Sequence, residues 1–315
     1  MSLIDSDYSH NHGASGDDIA NHIDGHCTLA SYGFDLEIHA NDSLEMSNAH
    51  ASFELAPKLT VLLMLEGDLD ATINDYPLGL SALSGPAGYL WINHAPARLD
   101  RWIRAGQRVR KVIASIPLDN FALLTELKSA LPEEVFRDTK NTLTLLRWRP
   151  NDQAIRYAEE IMSAGPARST LDKLTTSIAA LNLLRFSMTH LERQSASNRK
   201  DAVGTRDAKR ARQVREYALA NIGQPLSINE IADSCCMSVS TLQRVFKSCY
   251  GCTVMEFLRI RRLELARLAM LDEGLSVGEA AYRAGYSNPA NFSTAFQRRF
   301  GYPPSACLDT FPTRT

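Results

Sequence analysis

The stretch LSINEIADSCCMSVSTLQRVFKSCYG, residues 226–251, is written a second time as LSVGEAAYRAGYSNPANFSTAFQRRFG, residues 275–301. Each copy opens with a hydroxyl residue followed three positions later by a carboxylate, Ser227 with Glu230 and Ser276 with Glu279. That spacing is a capping box, which satisfies the free N–H groups of a helix start. A short helix follows, with Ile228, Ile231 and Ala232 as the inner face of the first copy and Val277, Ala280 and Ala281 as that of the second. A break comes next, SCCMS or AGYSN, and then a second helix with the apolar stripe Leu242, Val245, Phe246 or Phe292, Ala295, Phe296. Pro289 stands where a first-turn proline is favoured, and Gly251 or Gly301 closes each run. Two short helices joined by a tight turn make a helix-turn-helix, so this chain holds two. The copies lie 49 residues apart at Leu226 and Leu275 and 50 apart at Phe246 and Phe296, which makes the second turn one residue longer.

The segment TVMEFLRIRRLELARLAML, residues 253–271, separates them and opens with a third capping box, Thr253 with Glu256. As a continuous helix it spans roughly 25–30 Å. Two reading helices reach successive major grooves on one face of DNA when they sit about 34 Å apart. A rigid connecting helix sets such a separation inside one chain.

Charge supports a polyanionic partner for this region only. Residues 208–306 hold 13 Lys and Arg against 8 Asp and Glu, an excess of +5 that leaves −7 on the rest of a chain whose total is −2. A basic module joined to an acidic one is an asymmetry of nucleic-acid binders. The outward face of the first reading helix is expected to present Ser240, Thr241, Gln243, Arg244 and Lys247, and that of the second Asn288, Ala290, Asn291, Ser293 and Thr294. A guanidinium forks onto guanine and a carboxamide onto adenine, each worth roughly tenfold or more against the wrong base. The second face has no long basic reader, so the first is expected to carry more of the sequence readout. Lys247, Gln297, Arg298 and the helix starts at Ser238 and Ser287 are phosphate candidates. The plain alternative for Arg244 is a solvated arginine or a pair with Glu230 or Asp233. Arg298 and Arg299 have a surface alternative too, and one of Arg261 and Arg262 is expected to tie the two lobes together.

These residues carry a resemblance. Ala208 to Leu308 resembles the DNA-binding domain of the AraC/XylS transcription regulators, most closely in GYSNPANFSTAFQRRFGYPPSAC. The resemblance covers about a third of the chain. It implies the fold just read, a bent asymmetric DNA site, transcriptional activation with RNA polymerase as a partner, and base reading by Ser240, Gln243 and Arg244. One departure is Cys236, which stands at the turn position that Gly285 fills in the second copy. A left-handed conformation there costs a non-glycine residue about a kcal/mol or more.

Ahead of this module the pattern changes. Residues 1–24 lack apolar periodicity and read as a loose tail. From 25 to 117 short alternating segments predominate (SFELAP, LTVLLMLEG, DLDATIND, GYLWINH, RLDRWIRAG, RVRKVIASIP). They predict a small β-barrel or sandwich. Residues 118–193 turn helical, with Leu171, Leu174, Ile178, Leu181, Leu184 and Leu191 near one face. That face fits either packing on the β domain or a dimerisation pair. Residues 194–207 read as a linker. The expected class is an α+β multidomain chain: a β-rich, cupin-like barrel with a helical extension, then an all-α domain of two helix-turn-helix motifs and a spacer helix.

Phe53 to Ile116 also resembles the sensors of PchR-type, siderophore-responsive regulators, in FELAPKLTVLLMLEGDL, LSGPAGYLWI and GQRVRKVIASIP. The resemblance implies a small-molecule effector, with a ferric siderophore as candidate. An aromatic, anionic chelate would want stacking faces and a cation. Tyr89, Trp91 and Trp102, with Arg98 or Arg101, are candidates, the alternative being barrel core. The paired-His and Glu pattern of metal-binding cupins is missing, and no cofactor or metal is expected. His10, His12, His22, His26 and Cys27 read as a polar tail rather than a metal site.

Two rivals come from other classes. A DNA-repair methyltransferase would need an activated nucleophilic cysteine, and Cys27 sits in no such motif. A thiol-based redox regulator would use Cys235, Cys236, Cys249 and Cys252, whose spacing is not a zinc pattern. A regulator of a catabolic operon, with an aromatic or sugar effector, is a third possibility within the leading class. No apolar run is long enough to span a membrane, and a cytoplasmic location is expected.

Overall fold

The computed structural model describes residues 23–32, 36–118, 145–164, 169–197 and 205–307. Eleven strands precede eight helices among them. A six-stranded sheet runs in the order β1 (Ile23–Tyr32), β2 (Leu36–Glu45), β10 (Arg108–Pro117), β4 (Lys58–Glu66), β8 (Ala87–Asn93), β11 (Leu145–Trp148). A second sheet runs β3 (Ala49–Leu55), β9 (Ala97–Ile103), β5 (Asp68–Ile73), β6 (Tyr76–Pro77), with β7 (Leu80–Ser81) also on β5. Every strand pairing is antiparallel.

The unbroken apolar run VLLML of β4, residues 61–65, has a physical reason: both faces of the strand are covered. Leu62 and Met64 join Leu69, Ile73, Tyr89, Trp91 and Val109 between the sheets. Leu59, Val61 and Leu63 face the other way, onto α1 (Asp152–Ala164) and α2 (Thr170–Ser197). There Ala154, Ala158 and Ile161 of α1 and Ala179, Ala180, Leu183 and Leu184 of α2 bury against the sheet. A face buried on both sides has no polar alternation to show.

Within 118–193, expected to be helical throughout, α1 and α2 are helices but LLRW, residues 145–148, is not. That segment is β11, antiparallel to β8 with Trp148 opposite Gly88. A Cβ on Gly88 would stand 2.0 Å from the Trp148 ring, so glycine makes room for the indole. Helix α2 continues to Ser197 and the next helix begins at Thr205, both inside the stretch read as linker, and Ile23 and Asp24, read as tail, belong to β1.

The C-terminal domain contains α3 (Thr205–Ala220), α4 (Ile228–Ser234), α5 (Val239–Tyr250), α6 (Val254–Asp272), α7 (Val277–Arg283) and α8 (Pro289–Phe300). All three capping boxes are present, at Ser227/Glu230, Thr253/Glu256 and Ser276/Glu279. Two small cores follow, one around Leu242, Val245, Phe246 and Phe257, the other around Leu263, Met270, Phe292 and Phe296. Helix α6 contributes to both and so joins the lobes rigidly.

This domain is docked on the β domain through polar contacts. Arg215 of α3 is fully buried and donates to Asp68 Oδ2 at 2.8 Å; its other nitrogen meets Asp70. Burial alone would lower the affinity of Arg215 for its proton, but Asp68 and Asp70 reverse this and raise its pKa. Gln107 links two of the contacts: it donates to the Asp68 carbonyl and accepts from Arg261 of α6 at 3.1 Å. Arg261 also holds Glu264 at 2.6 Å, and Glu264 accepts from Arg299 of α8 at 3.1 Å. Arg212 of α3 lies 4.2 Å from the Trp102 ring centroid.

Candidate nucleic-acid interface

The two helix-turn-helix units match element for element. α4 and α7 have seven residues each, and α5 and α8 twelve each. The connections are 235–238 and 284–288, so the extra residue lies in the second turn. Cys236 has φ +53° and Gly285 φ +80°, so the first turn does place a cysteine in the left-handed region. The nineteen residues of α6 make a spacer of about 28 Å.

On α5, Leu242, Val245 and Phe246 are buried, which turns Ser240, Arg244 and Lys247 outward; Thr241 and Gln243 are half-buried beside them. Ser238 caps the helix, its Oγ accepting from Thr241 N. Arg244 is 61 % exposed but not free: it donates to Asp207 Oδ2 at 2.7 Å. The partner is at the start of α3 rather than Glu230 or Asp233. The Arg244 hydrogen bond holds the Asp207 carboxyl below its usual range.

On α8, Ala290, Asn291, Thr294 and Arg298 are exposed and Ser293 is half-buried. Asn288, not Ser287, is the N-cap, and its Oδ1 accepts from Ala290 N at 2.8 Å. Gln297 is exposed, whereas Arg299 turns inward to Glu264. Both spacer arginines are structural. Arg261 docks the domains, and Arg262 donates to the Ile222 and Gln224 carbonyls of the first lobe.

The five ligand candidates are divided. Tyr89 and Trp91 face the space between the sheets, where the Tyr89 hydroxyl donates to the Ser81 carbonyl. Trp102, on the other sheet, stacks on His50. Arg101 is buried against Glu45, and Arg98 pairs with Asp100 at the surface. Of the five, Tyr89 lines a narrow cleft with Tyr76, Arg147, Ser248 and Cys249, with about 20 Å³ of room. That is space for about one water. His10, His12 and His22 lie outside the described residues, and the side chains of His26 and Cys27 are not among those described. Burial pushes the Cys249 thiol up to about 11 and Cys252 to about 12, and raises Cys235 as well. Reactive thiols need the opposite shift.

Residues 25–203 match the family described as the regulatory protein PchR N-terminal domain, and residues 206–310 match a helix-turn-helix domain family. The chain belongs to the AraC-type regulators that carry a PchR-type N-terminal domain. The N-terminal half thus matches a regulatory domain rather than a catalytic one, which removes the rival of a methyltransferase joined to such a DNA-binding domain. Among its relatives, the transcriptional activator RhaS of Citrobacter koseri is 27 % identical over 187 residues, 59 % of this chain and 64 % of RhaS. The chain therefore spans under two thirds of that relative's length. The transcriptional regulator AlkR of Acinetobacter baylyi is 35 % identical over 81 residues, 26 % of each chain. Among solved structures, a probable AraC family regulator from Rhodopseudomonas palustris is 29 % identical, covering 32 % of this regulator and 95 % of that chain, with a TM-score of 0.31. No helix among the described residues is long and apolar enough to cross a membrane.

Proposed function

We propose that this regulator is a sequence-specific DNA-binding transcription activator. In this reading α5 supplies most of the base readout through Ser240, Gln243 and Arg244. α8 positions the second lobe through Asn288, Ala290, Asn291, Ser293, Thr294 and phosphate contacts at Arg298. The observation that carries the reading is the pair of capped helix-turn-helix units on one rigid spacer, each with a polar face outward. Activation, with RNA polymerase as the partner it implies, is supported by the similarity to RhaS, a transcriptional activator.

The N-terminal domain is the sensor, and a ferric siderophore is the effector class its PchR-type match favours. Two of its aromatic candidates have a cation over the ring, Tyr89 with Arg147 at 5.8 Å from the centroid and Trp102 with Arg212 at 4.2 Å. Helix α2 supplies a dimer face: Leu171, Leu174 and Ile178 are 71 %, 55 % and 58 % exposed, while its opposite side is buried on the sheet.

Arg244→Ala, titrated against a panel of operator variants, tests the base readout. The reading expects loss of preference at one or two base pairs. Equal weakening on every sequence would make Arg244 a phosphate contact. Sedimentation of Leu174→Glu tests the dimer, and fluorescence titration with ferric and iron-free chelates tests the effector.

A further inference from the structure

A second cavity lies between the domains, at the C-terminal end of α8 and away from the first reading helix, α5. It measures about 230 Å³ and is walled by four guanidiniums, Arg108 and Arg110 of β10, Arg267 of α6 and Arg299 of α8, against one carboxylate, Glu66. The rings of Phe300 and Tyr302 complete the wall. Three of the arginines have acidic neighbours. Arg108 pairs with Asp42 at 2.9 Å, Arg110 with Asp42 at 3.1 Å and Glu159 at 2.8 Å, and Arg299 with Glu264 at 3.1 Å and Glu66 at 3.6 Å. Glu264 is shared, because Arg261 holds it at 2.6 Å. Arg267 has no carboxylate within 4.0 Å among the described residues, and its guanidinium lies 5.2 Å from the Phe300 ring centroid. The Nε atoms of Arg267 and Arg299 are buried with no acceptor among the described residues.

A half-buried cation that lacks a counter-charge, and buried N–H groups that lack acceptors, both cost free energy that an anion would remove. Guanidinium forks match planar carboxylates and phosphates. At about 230 Å³ against about 20 Å³, the cavity has more than ten times the room of the cleft beside Tyr89, space for a small molecule rather than a single water.

We propose that this cavity binds a small oxyanion carrying two or three negative charges, a polycarboxylate or a phosphate, which bridges β10 of the sensor to α6 and α8 of the second helix-turn-helix lobe. Such a ligand contacts both domains and is placed to change how firmly they dock. That consequence rests on the effector-responsive reading above; the binding itself does not.

The test is calorimetry on the full chain with citrate and, separately, with inorganic phosphate, at ionic strength matched with sodium chloride. One saturable site is expected for at least one of the two, and which of them binds tells carboxylate from phosphate. Arg267→Gln should weaken binding by about tenfold or more, with Arg267→Lys intermediate, because the lysine keeps the charge and loses the fork. Arg259→Gln, an exposed arginine two turns earlier on α6, should leave binding within about twofold. If Arg267→Gln fails to fold by circular dichroism, Arg108→Gln takes its place at a position that is 41 % exposed. No saturable binding of either anion up to about 10 mM would overturn the site, and so would equal weakening by Arg259→Gln. Operator affinity measured with and without the anion is a separate readout. Binding without a change in operator affinity upholds the site and removes only its regulatory role.

Discussion

Removing Arg215 should release the DNA-binding domain from the β domain. Its side chain is fully buried between Asp68 and Asp70, themselves 0 % and 4 % exposed. Arg215→Ala strands buried carboxylates, and breaking one partner of a buried pair costs about 3–5 kcal/mol. Asp70 keeps Arg104 at 3.1 Å and Arg212 at 3.9 Å, whereas Asp68 has no other cation within 4.0 Å among the described residues. One stranded carboxylate rather than two points to the lower end, about 3 kcal/mol, or more than a hundredfold in the docked population. The assay is urea denaturation with two probes. Trp91, Trp102 and Trp148 all lie in the β domain, and Trp102 is the one under Arg212, so its emission reports docking. Far-UV circular dichroism reports the helices. Trp102 emission should change at lower urea in Arg215→Ala than in the parent. The double variant Arg215→Met with Asp68→Asn should recover most of the loss, giving a coupling of about 2 kcal/mol. An Arg215→Ala protein within about 0.5 kcal/mol of the parent, or one whose cost is the same in the Asp68→Asn background, would refute the reasoning.

Three further outcomes follow from the same structure. Asp207→Asn should tighten operator binding roughly two- to fivefold, the range of an exposed ion pair, because Arg244 then leaves no partner behind on reaching a base; a filter-binding or anisotropy titration reads this. Cys236→Gly should stabilise the C-terminal domain by about 1 kcal/mol, since glycine takes the φ of +53° without the Cβ clash; the midpoint of helix melting reads it. For pH, burial would raise the Asp70 pKa, but Arg215, Arg104 and Arg212 outweigh it and hold it below the ordinary 3.8. A depressed carboxylate stabilises the folded state above the unfolded value and loses that contribution as pH falls through the folded one. The Asp70 contribution to docking, followed by Trp102 emission, should therefore be constant above about pH 5 and be lost only on acidification below 3.8.

The C-terminal domain was legible because its signals are local. A capping box needs two residues three apart, and an apolar stripe needs one helix, so Ser227, Thr253, Ser276 and the Phe246 and Phe292 stripes could all be read in order along the chain. The strands SFELAP to RVRKVIASIP were legible for the same reason. β11 was not, because LLRW becomes a strand only beside Gly88, some sixty residues away, where a missing side chain leaves space for Trp148. The docking network was not legible either. Arg215, Asp68, Gln107 and Glu264 look like ordinary surface residues until the fold brings four distant segments together. The ligand candidates failed to converge because β8 and β9, which carry them, belong to different sheets.

The docked arrangement also changes what the basic charge of the C-terminal domain is worth. Of the thirteen Lys and Arg in residues 208–306, Arg215, Arg261 and Arg299 are committed to the interface with the sensor, Arg262 to backbone carbonyls and Arg283 to Glu273. Counterion release on DNA is set by the cations that reach phosphates, about 0.9 in logarithmic slope for each. The docked chain should thus bind DNA with a shallower salt dependence than its composition implies. Any condition that frees the domain returns Arg215 and its neighbours to the surface and steepens that slope, so salt titration of DNA binding becomes a measure of the conformational state of the regulator.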